Sequence, residues 1–445
     1  MYRFPKDLFT DVRIESQNTV QYYIRNGEVE GDSNVSVSGA MVRVYDGEMW
    51  YTSFTNNLDK IQEEIDNLAT IASPNEKIYD DPVIQNFGAY KDDVTKYSGE
   101  NNVKNISRDA YEKLVNNYID KCVDATIEEI KSYNFGFGSS YIKKEYYSSK
   151  GAEIKQDMQR VRLFAVYEIS VNGVTTSAFK GYVEDTYDKL LNKESEIIAE
   201  RDRYIDFAKR AVDVEPGEYT CVLAPVVTAM FTHESFGHKS EADFMLNDKT
   251  LQDEWVMGKQ VGNAKVSICD RGDLPNNGYL PYDDEGNKAS VTWLIRDGVL
   301  SGRLHDSKSA AVLKEKVTGN ARAQGVYHTP MVRMTNTYME KGTDKAENMI
   351  AGVKDGIYVY AVDYGTGMST FTMQPNLCYR IRDGKLCEPV RVHVVTGSVF
   401  ETLFDIDAVG DDFVLFNTFT CGKNGQSAPV SAGGPTIRVK KLNVN

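Results

Sequence analysis

Between Val161 and Val171 an apolar side chain stands at every second position (Val161, Leu163, Ala165, Tyr167, Ile169, Val171), and the run stops at Asn172-Gly173. A period of two puts one side of a strand against a core, and Asn-Gly is the residue pair of a two-residue hairpin turn. The chain must therefore build an antiparallel sheet with one covered face. Residues 36 to 54 alternate in the same way and carry an Asp46-Gly47 turn, which predicts a second hairpin.

Helical spacing fills the gaps between these strands. Leu58, Ile61, Ile65 and Leu68 recur three or four residues apart, and residues 108 to 132 read as a helix that Ser107 or Asp109 can cap. Residues 184 to 210, rich in Glu, Lys, Arg and Leu, read as a long helix ending near Val214-Glu215-Pro216-Gly217. That break sets an expected boundary between an N-terminal α+β domain (residues 1–214) and a C-terminal β-rich domain (residues 215–445). Beyond it, helical pattern is confined to roughly 225–250 and 305–316, and the tetrapeptide IRDG marks turns at Ile295 to Gly298 and Ile381 to Gly384. The expected class is α+β, with an antiparallel C-terminal part.

Composition excludes several functions. A formal charge of -14 and the lack of any basic run oppose binding to a nucleic-acid backbone. No run of 18 apolar residues is present, so no membrane-spanning helix is expected. The opening MYRFPKDLFTDVRIESQ has early acidic residues and no apolar core, unlike a secretory signal, so a cytoplasmic location is expected. The six cysteines (Cys122, Cys221, Cys269, Cys378, Cys387, Cys421) form no CxxC pair and read as reduced, mostly buried thiols.

Two of the five histidines share one short window, THESFGH at 232 to 238. In the common His-Glu-x-x-His zinc motif the histidines are four apart and the glutamate is the general base. Here they are five apart, which on a regular helix turns His233 and His238 about 140° from one another. A single π-type turn would restore a common face, and Gly237 offers a place for the distortion. Taken alone, the pattern is equally met by two helix-end histidines, one buried and one capping carbonyls.

Five blocks extend the pattern: HESFGHKSEADF (233–244), YLPYDDEG (279–286), WLIRDGVLSGRLHD (293–306), TGNARAQGVYHTPMVRMTNTY (318–338) and TCGKNGQSAPVSAGGPTIRV (420–439). In order and spacing they resemble the TldD/PmbA family of metallopeptidases, once labelled modulators of DNA gyrase, and weaker similarity (DVRIESQ, VSGAMVRV) runs through the N-terminal half. The resemblance implies that His233, His238 and the Cys421 thiolate are the three ligands of one zinc ion and that Glu234 is the general base. A three-ligand set with one open position is what a catalytic zinc requires, whereas structural zinc takes four. It also implies an extended, unfolded peptide substrate entering a dimer cavity by strand addition, with residues 1–214 supplying channel and dimer contacts. The partner would be a second copy or a PmbA-like subunit.

Around this set, Glu241 and Asp243 are candidate acceptors for the ligand imidazoles, and His328 and Asn336 candidate donors to the tetrahedral intermediate. His305 and His393, in strand-like surroundings, read as structural. Lys239 stands where many relatives carry a small residue, which would crowd the site or place a charge at its entrance. The glycines of Tyr364 to Gly367 and Ala432 to Gly434 match no nucleotide motif and read as close backbone approaches. Two other readings stay open: a non-catalytic partner or scaffold, and a cysteine peptidase with Cys421 as nucleophile.

Overall fold

In the computed structural model, which describes residues 2–445, the alternating segments pair as one N-terminal sheet. Its strand order is Trp50–Thr55, Glu28–Tyr45, Phe9–Arg25, Ile130–Ser148 and Glu153–Val171, with Lys91–Val94 and Val174–Glu184 both pairing with the last of these. Asn172 and Gly173 have φ of 49° and 86°, the left-handed pair that lets a two-residue turn follow the strand twist. Tyr45 and Trp50 pair across the other expected turn, where Gly47 has φ 103°.

Period-two burial gives this sheet two unlike faces. Val161, Leu163, Ala165, Tyr167 and Ile169 point with Val20, Tyr22, Phe135 and Phe137 into one apolar core covered by helices Arg108–Cys122 and Glu194–Arg210. Helix Ile61–Ile71 covers Val12, Val42 and Val44 with its Ile61, Ile65 and Leu68. Each such buried side chain contributes about 1.5–3 kcal/mol. The opposite face is more polar and meets the C-terminal half, where Arg13 donates to Gly325 O at 3.0 Å, Gln156 to Tyr282 O at 2.9 Å and Arg160 to Asn277 O at 2.7 Å, with Met158 packed on Tyr279 and Leu280 between them.

Three helices depart from the sequence expectation. The one expected over 108–132 ends at Cys122, because Asp124 Oδ1 accepts from both Thr126 N (2.9 Å) and Thr126 Oγ1 (2.6 Å), turning the chain into strand Ile130–Ser148. Its cap is Ser107, whose Oγ accepts from Ala110 N. The helix expected from 184 starts only at Glu194, since Val174–Glu184 pairs along Glu153–Val171. The helix expected over 225–250 is broken at the histidines, as described below.

The C-terminal half holds two larger sheets. One runs Val299–Leu300, Val291–Arg296, Ile268–Arg271, Asn336–Met339, Ser431–Gly434, Val414–Phe416; the other is built around Gly217–Leu223, Asp355–Gly367, Thr370–Arg382 and Ile437–Val444. Both IRDG tetrapeptides sit in hairpins, with positive φ at Asp297, Gly298, Asp383 and Gly384. The expected antiparallel order has exceptions: Asn336–Met339 runs parallel to Ser431–Gly434, and Asp355–Gly367 parallel to Gly217–Leu223. Besides Ser307–Leu313, short helices form at Ala346–Ala351 and Val399–Asp405, too brief to show a period in sequence. Among the described residues no helix is long and apolar enough to cross a membrane.

The block YLPYDDEG joins the two halves through a buried charge cluster. Asp284 accepts from Lys144 Nζ at 2.9 Å and from Ala323 N at 2.8 Å, with Arg13 Nε 3.6 Å away. Burial alone would raise its pKa, but Lys144 and Arg13 reverse that and hold it at about 2. Asp283 and Glu285 on either side are raised by burial. Because the folded pKa of Asp284 lies below its unfolded value, its contribution is present above about pH 4 and fades as pH falls toward 2. Urea unfolding at descending pH should show the wild type losing on the order of 2 kcal/mol relative to Asp284→Asn across that window. At neutral pH Asp284→Asn should be less stable by about 3 kcal/mol, because buried Arg13 loses its counter-charge and Lys144 keeps only Glu15, 3.5 Å away.

Candidate metal centre

Ala224 and Pro225 start the helix Pro225–Thr232 without a side-chain cap; proline suits the first turn because its missing N–H is not needed there. The helix lies between the two C-terminal sheets, with Val227, Thr228, Ala229, Phe231 and Thr232 buried. Glycines in the neighbouring strands let backbone approach it. A Cβ on Gly434 would stand 2.6 Å from Thr228 Cγ2, one on Gly365 2.9 Å from Met230 Cγ, and one on Gly367 2.8 Å from Ser235 Oγ. The glycine-rich segments are thus packing surfaces, as their lack of nucleotide motifs implied.

From His233 to Gly237 the helix opens into one π turn, in which the His238 N–H donates to His233 O, five residues back. This brings the two imidazoles to 5.2 Å between centroids, nearly perpendicular at 81°. Gly237 has an ordinary right-handed φ of -57°, so its role differs from the expected backbone freedom. A Cβ there would meet Met334 Sδ at 2.0 Å, and the glycine is needed to admit that side chain.

Cys421 arrives from far along the chain on hairpin Thr420–Lys423/Gln426–Pro429. Its Sγ lies 3.5 Å from His238 Nε2, and the ligand atoms of His233, His238 and Cys421 all fall within 4.8 Å of one another. Two ligands of a tetrahedral zinc are about 3.6 Å apart when one is sulfur and one nitrogen. His233 Nδ1 is buried without a hydrogen-bond partner, and His238 Nδ1 is held by Glu241 Oε2 at 2.9 Å, which leaves Nε2 turned to the thiol. An orphaned buried nitrogen, an oriented imidazole and a thiol fit a metal ion.

Electrostatics separate Cys421 from the other cysteines. Burial alone would raise its pKa, but hydrogen bonds and charge from His233 and His238 hold it near 5, while burial raises Cys122 to about 11 and Cys221 and Cys269 to about 12. Glu234, whose side chain opens with that of His238 into a cleft of about 290 Å³, is raised by burial, opposed by the two histidines.

The remaining sequence candidates divide. Glu241 orients His238, but Asp243 instead accepts from Lys423 Nζ at 2.7 Å and 2.8 Å and touches no imidazole. Asn336 spends its side chain on Gly278 N, Arg271 O and Leu274 O, so it is a structural residue. His328 O accepts from Arg13 at the contact between the halves. His305 is held by Ser309 and Glu315, and His393 N donates to Asn445 O; neither lies in a strand. Lys239 neither crowds the cleft nor charges its entrance: it is 1% exposed and donates to Glu254 Oε2 and Met368 O. Sequence reading missed Lys423, 3.4 Å from Glu241, and Arg333, which donates to Cys421 O at 2.5 Å. The i, i+2 relation of Cys421 and Lys423 on one strand was the available signal for the former.

Comparison with known proteins agrees with this architecture. Residues 216–445 match the model for the PmbA/TldA metallopeptidase C-terminal domain, and residues 10–73 that for PmbA/TldA metallopeptidase domain 1. A metalloprotease of Synechocystis is 30% identical, covering 98% of this chain and 94% of its own. A zinc metalloprotease TldD homolog of Saccharolobus solfataricus is 32% identical over 77% of both chains. A crystal structure described as a modulator of a DNA gyrase from Thermotoga maritima superposes with a TM-score of 0.77 at 18% identity, covering 98% and 96% of the two chains. The chain belongs to the PmbA/TldD metallopeptidase family.

In metal-free protein, ultraviolet absorbance should report one thiolate forming near pH 5, absent in Cys421→Ser. The folded value lies below the ordinary 9.0, so this group stabilises the fold above that range and ceases to as pH falls through 5. Titration only above pH 8 would mean that the imidazoles do not hold the thiolate.

Proposed function

We propose that the chain is a zinc-dependent peptidase acting on flexible or unfolded peptides, with His233, His238 and Cys421 holding the metal and Glu234 moving the proton. The observation that carries this reading is a three-ligand cluster beside a cleft into which a buried-side carboxylate, Glu234, opens. Zinc, when bound, supplies a Lewis acid for the scissile carbonyl and makes water more acidic. The Glu234 carboxylate takes a proton from the attacking water and returns it to the departing amine nitrogen. Its raised pKa favours that return, and a cation close by would draw it down toward the basic form. Glu241 keeps His238 Nδ1 occupied so that Nε2 remains the free ligand atom, and Lys423 fixes Glu241.

On this reading residues 215–445 form the peptidase unit and residues 1–214 supply channel and dimer contacts, in a cytoplasmic protein. The partner is a second copy or a PmbA-like subunit. Supporting this, strand Glu28–Tyr45 is paired on its outer edge only from Ala40 onward, and Val29, Val35 and Val37 on its free part are 54%, 53% and 46% exposed.

Elemental analysis of purified protein should find about one zinc per chain, and much less in Cys421→Ser. Glu234→Gln should keep the metal and lose about a thousandfold in peptide cleavage, the range expected for removing a general base. Absence of zinc after reconstitution would replace this reading with that of a non-catalytic partner, whereas full activity in Glu234→Gln would take the proton transfer away from Glu234. Activity abolished by thiol alkylation but untouched by a chelator would make Cys421 a nucleophile.

A further inference from the structure

The face of the N-terminal sheet turned to the C-terminal half borders a second, half-open cavity of about 410 Å³, whose wall sets Arg160, Arg162, Asn277 and Gln324 among apolar side chains such as Ile142, Phe164 and Pro429. It adjoins the metal centre through one hairpin. Pro429 pairs with Thr420 beside Cys421. Asn277 Nδ2 donates to Phe419 O at 2.9 Å, and the Phe419 ring stands 6.2 Å from that of His233.

The charge of this cavity is opposite to that of the chain. Acidic residues outnumber basic ones 65 to 51 overall, yet the wall contains two arginines and no carboxylate. Arg160 donates through Nε and Nη2 to one neutral acceptor, Asn277 O, at 3.1 and 2.7 Å. Burial and the cations Arg322 and Arg162 pull its pKa down to about 10. Arg162 is exposed on the wall. Glu184 and Asp185 border a separate cavity of about 130 Å³ that Arg160 also touches, and neither pairs with it. Arg162 has no hydrogen-bonded or ion-paired partner among the described residues, and its planar guanidinium matches a carboxylate through paired hydrogen bonds, while Arg160, whose Nε and Nη2 are held by Asn277 O, adds positive charge beside it.

We propose that this cavity binds a carboxylate of the peptide substrate, with Arg162 and Arg160 as the recognition pair, so that peptides with an acidic side chain or a free C-terminus are preferred. That the ligand is a peptide rests on the peptidase reading; the preference for a carboxylate rests on the cavity alone.

The full-length Glu234→Gln protein can be titrated calorimetrically with four flexible Gly/Ser/Ala peptides, carrying one Glu or Gln and a free or amidated C-terminus. At least one carboxylate form should bind about tenfold more tightly than the peptide lacking it, the scale of a charge-assisted hydrogen bond. Whether the Glu or the free terminus carries the gain identifies which carboxylate is read. The ratio should fall toward one in Arg162→Gln and be partly kept in Arg162→Lys. Equal or undetectable binding of all four, or a preference unchanged in Arg162→Gln with native melting, overturns the inference. Cleavage by the wild type is scored separately. Preferential binding without cleavage removes the peptidase reading and leaves the cavity's; cleavage without preference does the reverse.

Discussion

One hydrogen bond, from the His238 N–H to His233 O, sets the geometry of the whole centre. In a regular helix that N–H would bond one residue later and the imidazoles would point apart. A π turn is costly in isolation, so neighbouring structure must enforce it. Gly237 admits Met334, Gly367 lets strand backbone press on Ser235, and Gly434 does the same for Thr228 two turns earlier. These contacts pack the turn and the helix before it closely against the neighbouring strands. The distortion is held by close packing on three sides.

Around that turn, buried charge is ordered in a chain of contacts. Lys423 reaches Asp243 and Glu241, Glu241 holds His238, His238 faces Cys421, and Arg333 binds the Cys421 carbonyl. Each of these groups would be costly alone in a poorly solvated interior; the contacts offset much of that cost, although Glu241 Oε1 and Arg333 Nε keep no hydrogen-bond partner. Lys239 shows the same economy. A cation adjacent to the ligand His238 is turned away to Glu254 and Met368 O, so it steadies the 366–368 wall of the cleft and adds nothing to the charge inside it.

The N-terminal sheet contributes through the face that its sequence pattern would leave to water. Its apolar side is covered by helices in the usual manner. Its polar side makes the ion pairs to Asp284 and encloses the arginine-lined cavity beside the Cys421 hairpin. The two halves are therefore joined by charge and hydrogen bonds as well as by apolar contacts such as Met158 with Leu280, and the space left between them places two arginines in a mixed wall.

Local pattern alone determined the Asp46-Gly47, Asn172-Gly173 and IRDG hairpins with the strand Val161 to Val171, and the need for a π turn if His233 and His238 are to share a face, because alternation, turn chemistry and helical angle are properties of neighbours in sequence. Strands Phe9–Arg25 and Ile130–Ser148 of the same sheet were not read from it. Helix ends were less legible: Asp124 stops one helix by a two-residue side-chain bond that periodicity cannot register. Cys421 was reached only through the family resemblance, since nothing within 180 residues of His233 points to it. Which acid orients His238, where Lys239 turns, why Gly237 is a glycine and how Arg160 and Arg162 come to share one wall were decided by tertiary structure. Each depends on atoms brought together from distant segments, and the energy of burying a charge or a Cβ is set by those neighbours and not by the residue's own position in the chain.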